Sequence, residues 1–260
     1  MTRIDELFTT TRSAGRAALV GYLPVGFPDV PTSVAAMVAM IEGGVDLVEV
    51  GVPYTDPGID GPVIQVAVDA ALRAGTKVAN VFEAVEQVSA HAPVVVMGYW
   101  NPIEKLTPKV FAQRLKDAGG SGAITPDLIP EEAGPWLDAA LQQDLDPIFL
   151  VAPSSTAARL DVVGRTNRGF VYAASTMGVT GTRDTVSNRA EELVARMRQH
   201  TTLPVGVGLG VSNGAQAAEV AGYADAVIVG SAFVRALQDG GADAVRRLAE
   251  DLSEGVRRKA

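Results

Sequence analysis

The 260-residue chain contains no cysteine. Disulfides, thiolate nucleophiles and cysteine-based metal sites are thereby excluded. Histidine is reduced to two residues, His91 and His200, and aromatic residues make up only 5%. Positive charge is the minority sign: 22 Lys and Arg stand against 30 Asp and Glu, for a net charge of −8. An acidic surface repels phosphate backbones, so a nucleic-acid partner is not expected. A local phosphate pocket stays open, because helix N-termini and backbone N–H groups can form one without Lys or Arg. No apolar stretch approaches the roughly 18 residues of a membrane span. The N-terminal segment MTRIDELFTTTRSAGR lacks the apolar core of a signal peptide. The expected compartment is the cytoplasm, with no membrane partner.

What is present is an alternation. Short apolar runs occur at 17–23, 46–51, 94–98, 122–125, 147–152, 169–174, 204–210 and 225–230. Most are apolar at nearly every position, as strands buried on both faces of a parallel sheet are. Helical patterns lie at 31–43, 62–74, 108–117, 130–142, 156–164, 187–199, 212–221 and 241–257, and an additional one spans 2–13. Eight such alternations predict an α/β fold: a (β/α)8 TIM barrel with an extra N-terminal helix, formed by residues 1–260 as a single domain. A doubly wound open sheet is the competing architecture, disfavoured by the count and by the lack of an early Gly-rich dinucleotide loop. GGVDLVEVG (43–51) and GYADAVIVG (222–230) echo each other as generic barrel strands.

In such barrels the active site forms at the C-terminal ends of the strands. Both histidines precede a run, so they fall at the opposite face. Ser-His-Asp catalysis then has no base at the top, and no His cluster exists to bind zinc.

The second run carries Glu49 inside an apolar strand. An ionised carboxylate there is costly unless paired. It is either an internal ion pair or a proton shuttle whose pKa burial has raised. Asp60 follows 11 residues later, two before Pro62, the first residue of the next helix. It is either a helix cap or the second of two carboxylates over one cavity. Asp56, between Thr55 and Pro57, reads as a turn residue for chemistry but stays open to partner contact.

A second constellation gathers glycines. Gly178-Val179-Thr180-Gly181 follows the sixth run. Gly208-Leu209-Gly210 ends the seventh. Gly230-Ser231 ends the eighth and opens a short apolar helix, AFVRAL (232–237). These are the usual phosphate-binding parts of this barrel, although glycines also serve plain tight turns. GVGLGVSNG imitates a dinucleotide fingerprint, but the acid at the required distance, Asp225, precedes a strand. Tyr22, Tyr99 and Tyr172 lie at or near strand ends. Tyr172 is the strongest functional candidate, because the long Ser-, Thr- and Gly-containing loop 175–186, which reads as a lid, follows it.

VEVGVPYTDPGIDGPVIQ (48–65), YWNP (99–102), FVYAASTMGVTG (170–181), GVGLGVS (206–212) and IVGSAFV (228–234) closely resemble the tryptophan synthase α subunit family. The motifs run in the same order from about residue 15 to 238. The resemblance implies retro-aldol cleavage of indole-3-glycerol phosphate to indole and glyceraldehyde 3-phosphate. It implies Glu49 as acid and base, Asp60 as the indole contact and Tyr172 as a substrate-positioning residue. It implies Gly181, Gly210, Gly230 and Ser231 as phosphate-binding residues, and Thr180 as the residue that closes over the site. Asp56 and Asn101 match residues that face a β subunit in an α2β2 complex. That subunit holds pyridoxal phosphate, and this chain is expected to hold no cofactor and no metal. Gly98 and Ile59 depart from the family pattern, which has Thr or a larger residue at the first and Ala or Met at the second. Both are expected to border the indole pocket. The competing readings are a sugar-phosphate isomerase or aldolase on the same barrel, and a non-enzymatic activator of a β-type partner.

Overall fold

Parity organises the molecule. In each apolar run, every second residue belongs to one side-chain cluster and the residues between belong to another. Ala18, Val20, Leu47, Val95, Ile124, Ile148, Phe170, Ala226 and Ile228 pack together, with Met97, Leu150 and Tyr172 at their edge. The alternate positions Leu19, Val48, Val50, Val94, Val96, Val171, Val205 and Val227 pack against helices instead. A parallel sheet closed on itself produces this division, with one face filling the barrel and the other receiving the helical layer.

The computed structural model describes residues 1–174 and 183–257, with the side chains of 183–187 left undescribed. The strands are β1 (Ala18–Pro24), β2 (Leu47–Gly51), β3 (Val94–Met97), β4 (Gly122–Ile124), β5 (Asp146–Ile148), β6 (Leu150–Val151), β7 (Val171–Ala174), β8 (Val205–Gly208) and β9 (Ala226–Val229). All pair in parallel, in the order β5-β4-β3-β2-β1-β9-β8-β7-β6. The two end strands follow each other in the chain across Phe149, so the sheet is a nearly closed (β/α)8 barrel. The fifth apolar run is therefore two strands and not one. Asn167 patches the break. Its side chain accepts the Phe149 N–H at 3.2 Å and donates to the carbonyls of Phe149 and Phe170 at 3.2 and 3.0 Å.

The N-terminal helix α1 (Arg3–Ser13) is present, held by a capping box between Thr2 and Asp5. Its Ile4 and Phe8 enter the interior cluster and close the barrel's N-terminal end. The other helices are α2 (Val30–Glu42), α3 (Pro62–Arg73), α4 (Val78–Ser89), α5 (Trp100–Leu106), α6 (Pro108–Asp117), α7 (Gly134–Gln142), α8 (Ala157–Thr166), α9 (Arg183–Met197), α10 (Gly214–Ala221) and α11 (Ser231–Arg257), which is kinked at Gly240 and Gly241. Two of them, α4 and α5, are additional to the sequence pattern. Helix α4 buries Val81, Phe82, Val85 and Val88, a spacing of one helical face. One helix per strand was expected there, and the connection holds two.

The echo between residues 43–51 and 222–230 has a physical basis. Asp46 accepts the Leu19 N–H at 2.9 Å and a two-pronged contact from Arg16 at 2.7 and 2.8 Å. Asp225 likewise accepts the Val205 N–H at 3.0 Å and pairs with Arg198 at 3.3 Å. Each aspartate ties its strand's entrance to a neighbouring strand through a backbone donor and an arginine.

Candidate active site

At the opposite end, the inward positions change character. Tyr22, Glu49, Met97, Leu150, Tyr172 and Gly208 form the last interior layer. With Ile59, Asp60, Gly61, Gly210, Gly230 and Ser231 they line one cavity. The structure thus brings together Glu49, Asp60, Tyr172, Gly210, Gly230 and Ser231.

Glu49 stands on β2 between Tyr22 of β1 and Val95 of β3. Its side chain is fully buried, and neither carboxylate oxygen has a hydrogen-bond partner among the described residues. No ion pair therefore accounts for it within those residues. Burial alone pushes its pKa up to about 8, because the charged form loses its hydration. At neutral pH the group is mainly a carboxylic acid.

Asp60 sits in the loop between β2 and α3. The cap of α3 is Gly61, with no side-chain cap bond, so the capping alternative for Asp60 is not realised. The loop is braced by Gln65, whose amide donates to the Asp60 carbonyl at 2.8 Å. Burial raises the Asp60 carboxyl to about 6, and a hydrogen bond from the Tyr99 side chain pulls it partly back. The two carboxyls thus differ, which suits one to hold a proton and the other a charge at the same pH.

The tyrosines complete the walls. A Cβ on Gly208 would come within 2.8 Å of the Tyr172 hydroxyl oxygen, and one on Gly51 within 2.5 Å of the Tyr22 hydroxyl oxygen. Both hydroxyls lie over glycine backbone that no larger residue would leave open. Burial raises both phenols well above their ordinary value, and the nearby carboxylates Glu49 and Asp60 add to the effect.

The far end of the cavity is a backbone cradle. Gly210 has φ +66°, a conformation that favours glycine. Gly230 accepts the Val234 N–H at 3.2 Å, and Ser231 opens α11. That helix start lines the same cavity as Gly210. None of the described lining residues is Lys or Arg. An anion there would be held by backbone N–H groups, the Ser231 hydroxyl and the helix dipole.

Asp56 and Asn101 do not join the cavity; Asp56 is exposed on the loop after β2 and Asn101 is exposed in the first turn of α5. Thr180 and Gly181 lie outside the described residues. Ile59 borders the cavity at its rim, half exposed. Gly98 does not border it, because its absent Cβ faces Val52, whose Cγ2 would be 2.8 Å away. Its departure from the family pattern answers to packing behind the sheet. Tyr99, one of the three strand-end tyrosines but assigned no role from the sequence, stands beside the Asp60 loop. Its hydroxyl accepts the Ile59 N–H at 3.0 Å. Continuing the inward parity of Val95 and Met97 would have pointed to it.

Comparison with known proteins agrees with this geometry. The family model described as the tryptophan synthase alpha chain matches residues 8–258. The tryptophan synthase alpha chain of Mycobacterium intracellulare is 59% identical over 261 residues, covering 99% of this chain and 96% of the relative. That of Acidothermus cellulolyticus is 57% identical, covering 99% and 98%. Among solved structures, tryptophan synthase from M. tuberculosis superimposes with a TM-score of 0.93 at 52% identity, covering 99% of each chain. The alpha subunit from Legionella pneumophila does so with a TM-score of 0.90 at 29% identity, covering 98% of each.

Proposed function

The chain belongs to the tryptophan synthase alpha chain family, and from that premise we propose which of its residues perform the family's reaction. The reaction is the lyase step of tryptophan biosynthesis: indole-3-glycerol phosphate is cleaved to indole and glyceraldehyde 3-phosphate. Indole C3 must gain a proton before its bond to the glycerol carbon can break. The ring nitrogen then carries positive charge. Loss of the proton from the adjacent hydroxyl forms the aldehyde, and the electrons of the breaking C–C bond return to the ring.

Glu49 serves both transfers. As an acid it protonates C3, and as the resulting carboxylate it takes the hydroxyl proton, so its own proton count is restored. Asp60, ionised, accepts the ring N–H and stabilises the charge that grows there. Tyr172 positions the substrate beside Glu49. Gly210, Gly230 and Ser231 hold the phosphate. Gly181 and Thr180 take their phosphate-binding and closing roles from the family resemblance alone.

The observation that carries this reading is the fully buried Glu49 carboxyl, unpaired among the described residues at the wall of a cavity and raised to about 8. The test is indole release from indole-3-glycerol phosphate by wild type and Glu49→Gln. Loss of the proton shuttle is expected to lower kcat by roughly 10²–10⁴-fold. Turnover by Glu49→Gln within about threefold of wild type contradicts the assignment.

In this family pyridoxal phosphate is carried by the β subunit. We infer that this chain holds no cofactor of its own and that it joins a β subunit in an α2β2 complex. The exposure of Asp56, on the loop after β2, and of Asn101, at the start of α5, supports that surface. Among the described residues no helix is long and apolar enough to cross a membrane, and a cytoplasmic location follows as part of the proposal. Residues 1–260 are taken as one barrel domain, supported by strands from both described segments joining a single sheet.

A further inference from the structure

Asp60 sits on a loop, and a loop carboxylate needs something rigid to aim it. Its backbone is held within the loop itself, by a bond from its N–H to the Pro57 carbonyl at 3.1 Å and by the Gln65 amide. The preceding residue, Ile59, is held from elsewhere. Tyr99 follows β3, is almost fully buried, and immediately precedes α5. Its hydroxyl oxygen accepts the Ile59 N–H at 3.0 Å. That contact occupies the oxygen as acceptor and leaves the single O–H of this residue, bonded to Asp60's neighbour, as a donor, and the nearness of Tyr99 lowers the Asp60 pKa. The ring stacks on Tyr54 from the other limb of the same loop, with centroids 5.2 Å apart and planes 30° apart. One side chain thus fastens both limbs of the loop to the sheet. The next residue is fastened in turn, because the Trp100 N–H is held by both Asp127 carboxylate oxygens at 2.9 and 3.1 Å.

We propose that Tyr99 is the positioning residue for Asp60, its hydroxyl fixing the direction of that carboxylate so that an oxygen is preset to accept the ring N–H of the substrate. The inference rests on the reading of Asp60 given above. Tyr99 does not touch the reacting atoms; it acts through Asp60. A donor on the carboxylate also favours its charged form, so removing the donor raises the Asp60 pKa. The other ionisable groups that sense Asp60 are Tyr22 on β1 and Tyr172 on β7, both of which also sense Glu49 on β2. Asp127 reaches Tyr99 from the loop after β4. Of these, Tyr22 also senses Tyr99 itself.

The full chain is labelled with [13Cγ]-aspartate, and the Asp60 signal is identified by its loss in Asp60→Asn. In Tyr99→Phe its titration midpoint is expected to rise by at least about half a pH unit. Replacing Tyr99 by 3,5-difluorotyrosine keeps ring and hydroxyl but makes a stronger donor, and the midpoint is expected to fall. In indole release, Tyr99→Phe is expected to lose about tenfold in kcat with KM little changed, and its acid limb of kcat/KM moves to higher pH. Tyr54→Phe keeps the stack and is expected to change neither readout. An Asp60 midpoint that moves in neither position-99 variant overturns the proposal. So does a shifted midpoint with unchanged kcat. If Asp60→Asn releases indole like wild type, the assignment of Asp60 fails, while the two titrations still report on the Tyr99 contact.

Discussion

Glu49 shows how one residue type in one place determines a chemistry. An acid in a strand that is apolar on both faces was visible in the sequence as an anomaly. Whether an ion pair resolved it depended on what surrounds the side chain, and no spacing rule supplies that. Burial without a described partner leaves protonation as the way to lower the cost. This has a consequence for stability. The folded pKa of about 8 lies above the ordinary value of 4.5. The native state therefore holds the proton more tightly than the unfolded chain does. The stabilisation by that proton is complete below the ordinary value and is lost as pH rises through about 8. Urea midpoints of wild type and Glu49→Gln across this range should diverge. The variant gains on wild type by up to about 1.4 kcal/mol per pH unit and levels off above pH 8 or so. Parallel curves would show that Glu49 is not buried as an acid. Asp60 was ambiguous in the sequence for a different reason. A helix cap and a catalytic carboxylate occupy the same position relative to Pro62, and only the identity of the true cap, Gly61, separates them.

At the scale of elements, the interruption of the fifth apolar run matters most. PIFLVA reads as one strand, since hydrophobicity does not register a break in hydrogen bonding. The break falls at Phe149, which faces the helical layer while Ile148 and Leu150 face the barrel interior, so the alternation of side chains runs through it unchanged. Asn167, buried at the end of α8, supplies the missing ladder bonds. Its replacement by Ala leaves the Phe149 N–H and two carbonyls with fewer partners. Asn167→Ala is expected to cost roughly 2–3 kcal/mol of stability, read from urea unfolding. Because Leu150 and Tyr172, on either side of the break, line the cavity, the variant should also raise KM. A variant as stable as wild type would mean that the break is satisfied without Asn167. Helix α4 was legible and passed over, since Val81, Phe82, Val85 and Val88 spell one helical face. The expectation of a single helix per strand concealed it.

For the whole molecule, the barrel was legible because a closed parallel sheet needs eight runs that are apolar on both faces, with helices between. The active end was legible because the last interior layer breaks the apolar pattern at Tyr22, Glu49 and Tyr172. Contacts between successive loops were not legible. Tyr99 meets Ile59 across 40 positions of sequence, and Gly98 beside it points the other way, toward Val52. The central claim is that one carboxyl works protonated and its neighbour works ionised over the same cavity. The pH dependence of kcat/KM for indole release, measured on wild type and Glu49→Gln, tests it most directly. Wild type should rise as Asp60 ionises near pH 6 and fall as Glu49 loses its proton near pH 8, the two limbs belonging to the coupled pair. The residual activity of Glu49→Gln should keep the acid limb and lose the alkaline one. An alkaline limb near pH 8 that survives in Glu49→Gln would contradict the account.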